Sequence, residues 1–296
     1  MNRMHAISRI VTVAAVAAHA ISAAAFVNPA LEVSHRARAI HPGEVVVLEV
    51  RAGAPLADLS ATAFGREIRL FQDPSDGVWR GLVGIDLTTE PGSYEVTVHA
   101  STAGGGRAEI AYALDVAPKE FPTRRLKVAP KYVDPPPDVI ERILREQEET
   151  SAIFRAASPE RLWRGGFARP VPGRSTSSFG RRSVFNGEAR NPHSGTDFRA
   201  GEGVAVKAPN AATVALTGDL YFSGKVVILD HGWGLYSYFA HLSAVDVAEG
   251  DVVERGDVVG RVGATGRVTG PHLHWTVRLN DARVDPLALM ELLPDS

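Results

Sequence analysis

Between about residues 26 and 117, short apolar runs alternate with turn-forming residues. A β-branched run at 45–50 follows the Pro42-Gly43 turn. Segments 68–71 and 78–85 flank Asp73-Pro74-Ser75-Asp76-Gly77, and after Pro91-Gly92 the side chains of Tyr94, Val96 and Val98 alternate with polar neighbours. Alternation of period two places every second side chain on one face of a strand, so these segments are predicted as strands, with Gly104-Gly105-Gly106 as a further hairpin tip. Strands and turns at this spacing predict a small β-sandwich of immunoglobulin-like type over 26–118. The pattern then changes. Pro118, Pro122, Pro130 and Pro135-Pro136-Pro137 stiffen a linker assigned to 119–166. Within it a helix is predicted over 138–157, opened by a capping box of Asp138 with Glu141. Val139, Ile143 and Leu144 would pack this helix on a neighbour, and Arg145-Glu146-Gln147-Glu148-Glu149 reads as its solvated face. From 167 to 296 strands are predicted at 204–206, 212–216, 225–229, 235–239, 257–262 and 272–279, joined by glycine-containing turns, which implies a compact antiparallel sheet domain. The fold class is therefore mainly β: a sandwich, a helical linker and a second antiparallel unit.

Composition narrows the picture. The chain has 296 residues, room for about two domains. A hydrophobic content of 45% with 22% charged residues argues against disorder. Thirty-two basic residues against 34 acidic ones leave no basic excess of the kind nucleic-acid binding requires. There is no cysteine, which excludes disulfides, thiolate metal sites, a cysteine nucleophile and lipid attachment to cysteine. Arg3 and Arg9, the apolar run at 10–18 and Ala23-Ala24-Ala25 have the form of a signal peptide over 1–25, with cleavage after Ala25 or, one residue earlier, Ala24. The run falls short of the roughly 20 residues that span a bilayer, and no comparable segment follows, so an exported protein without a membrane span is expected, in a periplasm or outside the cell.

Candidate chemistry is concentrated late in the chain. Five of the ten histidines lie between 193 and 274. In His272-Leu273-His274 a strand would turn both imidazoles to one face and Leu273 and Trp275 to the other. His193 and Asp197 stand four apart, with Gly195 permitting a tight turn between them. One carboxylate and two imidazoles form a familiar catalytic zinc set, three protein ligands with one position left for water. His241 lies between these pairs in the sequence. His231, in Asp230-His231-Gly232, reads as a turn residue with a local hydrogen bond. His35, His41 and His99 are isolated and read as surface or packing residues. No Gly-x-Ser-x-Gly elbow, nucleotide loop or distinct carboxylate pair is present.

Four segments carry a resemblance: Ser178-Phe179-Gly180-Arg181, His193-Ser194-Gly195-Thr196-Asp197, Tyr238-Phe239-Ala240-His241-Leu242 and Thr269-Gly270-Pro271-His272-Leu273-His274. In order and spacing they resemble the signature blocks of the lysostaphin-type (LytM-like) zinc metallopeptidases, which are peptidoglycan endopeptidases; the likeness runs from about 167 to 289. By position it implies that His193, Asp197 and His274 hold one Zn2+ per chain, and that His241 and His272 are the catalytic histidines outside the ligand set. Asn186 and Arg181 match the groove edge and are candidates for substrate contact. The sequence departs from the family where Phe239 replaces a usual tyrosine and Trp275-Thr276 a frequent Phe-Glu, changes that bear on substrate preference. The sandwich resembles, more loosely, an N-terminal module of Gram-negative members.

The resemblance implies zinc-activated water attacking a peptide bond of peptidoglycan cross-links or stem peptides, one of His241 and His272 taking its proton and the other stabilising the oxyanion. A competing reading is a non-catalytic cell-wall-binding regulator that activates another hydrolase. Loss of ligands would point there, and all five positions are intact. A secreted protease of broader range is a third reading. A regulatory protein partner remains open.

Overall fold

A computed structural model describes residues 28–127, 135–176 and 179–293; the expected signal segment lies outside them. The N-terminal part consists of β1 (Leu31–Ala37), β2 (Val45–Ala52), β3 (Asp58–Ala63), β4 (Arg66–Ile68), β5 (Leu70–Gln72), β6 (Trp79–Gly84), β7 (Gly92–Ser101) and β8 (Arg107–Val116). They form two antiparallel four-stranded sheets, ordered β1-β2-β6-β5 and β4-β3-β7-β8. Val46, Leu48 and Val50 of one sheet meet Ala61, Val96, Val98 and Leu114 of the other in a shared core. The stretch expected as one strand at 68–71 is divided: the chain leaves one sheet after Ile68 and enters the other at Leu70.

β2 explains its unbroken apolar run. Its alternate residues Val45 and Val47 point away from the sandwich core into a second core, where they join Leu82, Leu279, Ala282 and Val284. A strand buried on both faces cannot afford polar alternation. At the seam the backbones approach so closely that a Cβ on Gly84 would lie 3.0 Å from both the Ala282 Cβ and the Leu279 carbonyl oxygen. Glu44, almost wholly buried between the two parts, is bound by Arg38 and Lys119.

The linker contributes β9 (Thr123–Leu126), not foreseen from the sequence, and α1 (Pro137–Arg155). The helix starts one residue before its expected position. Its N-cap is Pro136, with no side-chain cap bond, so the expected capping box does not form; Pro137 at the first turn, which needs no N–H partner, opens it instead. Leu144, expected to pack, is 59% exposed, whereas Ile143 and Phe154 are buried. Glu146, read as solvated, turns inward to accept bonds from Arg142 Nε (2.6 Å) and the Tyr221 N–H (2.8 Å).

The remaining elements are β10 (Arg182–Phe185), β11 (Glu188–Arg190), β12 (Thr196–Phe198), β13 (Ala205–Lys207), β14 (Ala212–Leu220), β15 (Gly224–Asp230), β16 (Leu235–Val245), β17 (Val252–Val253), β18 (Val258–Val262), β19 (Leu273–Leu279), β20 (Ala282–Val284) and α2 (Pro286–Leu292). β9 runs parallel to β10, which pairs with β11. The other nine strands form one sheet whose main path is β12-β19-β16-β15-β14-β17. One face carries Val227, Leu229, Phe239, Leu273, Trp275 and Val277 into the large core. On the opposite face Val226, Ile228, Tyr236 and Ala240 pack beneath Phe154 of α1. The site lies on the helix-bearing face. No helix among the described residues is long and apolar enough to cross a membrane.

Candidate metal centre

Register assembles the site. In the antiparallel pair of β12 with β19, Asp197 lies directly opposite His274, a position that holds Cβ atoms about 5 Å apart. β19 alternates as the sequence suggests: Leu273 and Trp275 are fully buried in the core, which turns His274 to the other face. His272 just precedes β19, in an isolated bridge with Gly263. β12 is fixed through Thr196, whose hydroxyl donates to Asp285 Oδ1 at 3.1 Å; Arg38 donates to the other oxygen of that carboxylate.

His193 comes from the loop after β11. Its N–H donates to the Arg181 carbonyl (3.0 Å), and its own carbonyl accepts from Gly180 N–H (2.8 Å). Arg181 thus has a definite backbone role, anchoring the loop that carries His193. Asn186 sits at the tip of the β10–β11 hairpin with φ +51°, followed by Gly187 at +95°, the two left-handed residues a tight hairpin turn needs. Gly195 acts differently from expectation. Its φ is not positive; its missing side chain matters because a Cβ would come within 2.5 Å of the Trp275 carbonyl oxygen and 2.8 Å of His274 Cε1.

His241 reaches the site by an irregularity. Along β16, Phe239 enters the core and Ala240 faces the helix side, so regular alternation would send His241 back into the core. Instead it adopts φ +66°, its N–H leaves the ladder for the Ser223 carbonyl (2.9 Å), and the pairing shifts register on both sides of β16. Leu242 takes the buried core place, and His241 stands with ring centroids 5.1 Å from His272 and 5.9 Å from His274. Bulges of this kind re-aim side chains beside active sites.

The donor atoms converge. His193 Nε2 and His274 Nδ1 lie 3.2 and 3.0 Å from Asp197 Oδ1, and one ligand atom from each of the three residues falls within 4.8 Å of the others. A tetrahedral zinc ion with bonds of 2.0–2.2 Å spaces its ligands about 3.3 Å apart, so the set has the right size. The charge states of Asp197 and His274 fit as well. Burial alone would raise the Asp197 pKa, but the hydrogen bonds from His193 and His274 outweigh it and hold the carboxyl far below the usual carboxylate range, while burial depresses His274. An ionised carboxylate and neutral imidazoles are the forms that bind zinc. His274 Nε2 lies 2.9 Å from Thr276 Oγ1. Once Nδ1 offers its lone pair to a metal, Nε2 carries the proton and donates to that hydroxyl.

The other two histidines share one arrangement. A carbonyl oxygen can only accept, so Nδ1–H of His241 donates to Thr265 O (3.0 Å) and Nδ1–H of His272 to Gly270 O (2.9 Å), leaving both Nε2 atoms as the free ring nitrogens. His272 Nε2 is 3.8 Å from Asp197 Oδ1. Burial, then the neighbouring His274 and His272, push His241 down to about 3, so it is neutral at ordinary pH. His231 uses both ring nitrogens within the fold, donating from Nδ1 to Ala211 O and accepting at Nε2 from Ser237 Oγ. Thr276 and the close-approach role of Gly195 were missed from sequence. Extending the period-two alternation past His274 would have placed Thr276 on the site face.

The sequence profile described as peptidase family M23 matches residues 191–286. Over 103 residues the chain is 37% identical to the DD-carboxypeptidase/endopeptidase Mpg of Neisseria meningitidis, covering 35% of this chain and 24% of that protein. Over 84 residues it is 40% identical to the peptidoglycan DD-endopeptidase ShyA of Vibrio cholerae, covering 28% and 20%. The chain therefore matches about a quarter or less of these curated relatives' length. A solved Pseudomonas aeruginosa structure named for peptidase M23 is similar over 85% of this chain and 95% of its own, with 37% identity and a TM-score of 0.67.

Proposed function

Because the chain belongs to peptidase family M23, we propose that it is a zinc metalloendopeptidase that hydrolyses peptide bonds in the cross-links or stem peptides of bacterial peptidoglycan. The observation that carries the reading is the meeting of three donor groups, His193, Asp197 and His274, within 4.8 Å, beside two histidines whose Nε2 atoms are the free ring nitrogens. The three would hold zinc, which supplies a Lewis acid and lowers the pKa of water toward neutrality. His241 and His272 act on the proton. Each is fixed through Nδ1–H on a backbone carbonyl, which orients Nε2 to accept a proton while the ring is neutral and to donate once it is charged. One ring takes the proton of the attacking water at Nε2, and the other, in its protonated form, donates from Nε2–H to the developing negative charge on the carbonyl oxygen. Arg181 and Asn186 are proposed as groove-edge contacts for the substrate.

We read residues 26–118 as an immunoglobulin-like sandwich, supported by strand orders that correspond to A-B-E-D and C′-C-F-G of that architecture. Residues 119–166 form the linker and 167–296 the catalytic unit. Export to the periplasm accords with the apolar N-terminal run and with the peptidoglycan-directed name of the Vibrio relative. The deciding experiment incubates the zinc-loaded protein with purified peptidoglycan, with and without a chelator, and identifies newly exposed termini. Chelator-sensitive release of peptide fragments is expected. No release under any condition would favour a cell-wall-binding regulator.

A further inference from the structure

His274, Thr276 and Arg278 form a row on the site face of β19, since residues two apart share a face. All three line a cavity of about 240 Å³, together with Gln147 and Thr150 of α1, Ser194 and Ser223. Arg278 is its dominant charge. The side chain is 21% exposed and rests against the ring of Phe154, 4.9 Å from the centroid. Its partners are few for five N–H donors: one bond to the Asp281 carbonyl oxygen (2.8 Å) and an ion pair with Asp281 Oδ1 at 3.6 Å. Asp281 is itself shared, its other oxygen accepting from Arg66 at 3.1 Å. The cavity's acidic group, Glu146, is taken up by Arg142 and the Tyr221 N–H. Burial depresses the Arg278 pKa; Asp281 and Asp86 oppose the shift, and Arg283 and Arg66 add to it.

We propose that Arg278 is a specificity-determining residue that receives a free carboxylate of the substrate peptide in the cavity beside the metal centre. The proposal rests on the peptidase reading above and names the substrate group it selects. From His274 to Arg278 the strand spans about 13 Å, so an extended peptide cut at His274 brings a group three to four residues along to the guanidinium. Stem peptides carry carboxylates, and the fork of arginine matches them with two parallel bonds. Phe154 and the polar residues of α1 close the cavity on the other side, which gives the linker helix a part in substrate choice.

The test compares two probes with the zinc-loaded protein: a synthetic cross-linked stem-peptide dimer with free carboxylates, and the same dimer with carboxamides in their place. The wild type is expected to prefer the carboxylate form in kcat/KM by about tenfold or more, the scale of a charge-assisted hydrogen bond. R278Q should bring that ratio close to one, and R278K, which keeps the charge without the fork, should retain part of it. Zinc content and thermal melting are measured for each variant. Equal cleavage of both dimers by the wild type overturns the inference alone, and this arm needs no variant to fold. A preference that survives R278Q also overturns it. Equal loss on both dimers in R278Q and R278K assigns Arg278 to structure and rejects the proposal. Cleavage of neither dimer by the wild type removes the peptidase reading itself.

Discussion

Replacing Gly195 by alanine tests whether the metal centre depends on how closely the His193 loop and β12 approach β19. The added Cβ would meet the Trp275 carbonyl oxygen at 2.5 Å, Thr276 Oγ1 at 2.7 Å and His274 Cε1 at 2.8 Å, where real Cβ contacts essentially never fall below 3.0 Å. Two of these obstacles are the backbone and a ring of the strand that carries His274, so the strain cannot be absorbed by a flexible side-chain end. Lifting 2.5 Å to 3.0 Å moves the loop and β19 apart by at least half an ångström. Overpacking of this kind costs about 1–3 kcal/mol, which for a protein of this size lowers Tm by roughly 2–10 °C. The effect on zinc should be larger in proportion. Metal–ligand distances hold to about 0.2 Å, so a half-ångström parting of His193 and Asp197 from His274 exceeds what the site tolerates, and affinity should drop by about tenfold or more. Scanning fluorimetry with and without zinc reads the first quantity; competition with a chromophoric chelator reads the second. A variant with unchanged Tm and a zinc Kd within about twofold of wild type would refute the reasoning, because the approach would then have slack that the distances deny.

The remaining predictions separate ligand, catalytic and supporting roles. His193→Ala and His274→Ala should each lose zinc and turnover together, checked by metal analysis of dialysed protein; stoichiometric zinc in either would count against the ligand set. His272→Ala should keep its zinc and lose turnover, and an unimpaired variant rejects its catalytic role. Thr276→Val should weaken zinc by about tenfold while Thr276→Ser restores it, the scale on which groups behind metal ligands act; equal affinities would show that the hydroxyl does not hold the His274 tautomer. Burial lowers His231 from 6.5 to about 4, so the unfolded chain takes up its proton before the folded one does. Its contribution to stability is therefore full above about pH 6.5 and is lost as pH falls toward 4. In zinc-free protein, urea midpoints should fall over that window less steeply for His231→Gln than for wild type, and identical slopes would remove His231 from the account.

Much of the fold was legible because local pattern dictated it. The period-two alternation at 272–279 and the glycine turns of the second half located strands that the structure keeps, with β14 and β16 extended beyond their expected ends. The meeting of His193, Asp197 and His274 was legible as a set of residue types. Its geometry depends on the β12–β19 register, which lies in the pairing of distant segments. What escaped was non-local. The division between β4 and β5 is set by which neighbouring strand each half pairs with, and the pairing of β9 with β10 and the double burial of β2 by segments 59 and up to about 240 residues away; the single-strand pattern of each segment is the same either way. The helix began on proline geometry instead of the Asp138 cap, and Glu146 turned inward because a backbone N–H from the β14–β15 connection needed an acceptor. The bulge at His241 was also invisible: nothing in Ala240-His241-Leu242 announces a left-handed histidine.

The two faces of the sheet also decide which departures from the family pattern matter. Phe239 and Trp275 are wholly buried in the large core, their rings 6.1 Å apart. Exchanging a tyrosine for Phe239 therefore alters packing and the need to satisfy a buried hydroxyl, and reaches the substrate only through the strand. Thr276 lies on the other face, within hydrogen-bond distance of His274. A carboxylate there would hold the imidazole more strongly, add negative charge beside the metal and stand next to Arg278 as a fixed counter-ion. The hydroxyl orients the ring without that charge and leaves the arginine to find its anion elsewhere. Under the proposed ligand set and the proposed role of Arg278, the departure at position 276 is the one of the three that would couple metal affinity to substrate choice. A Thr276→Glu variant should bind zinc more tightly and, at the same time, lose the preference for a carboxylate-bearing peptide. Tighter zinc with the preference intact would show that the two ends of the row act independently.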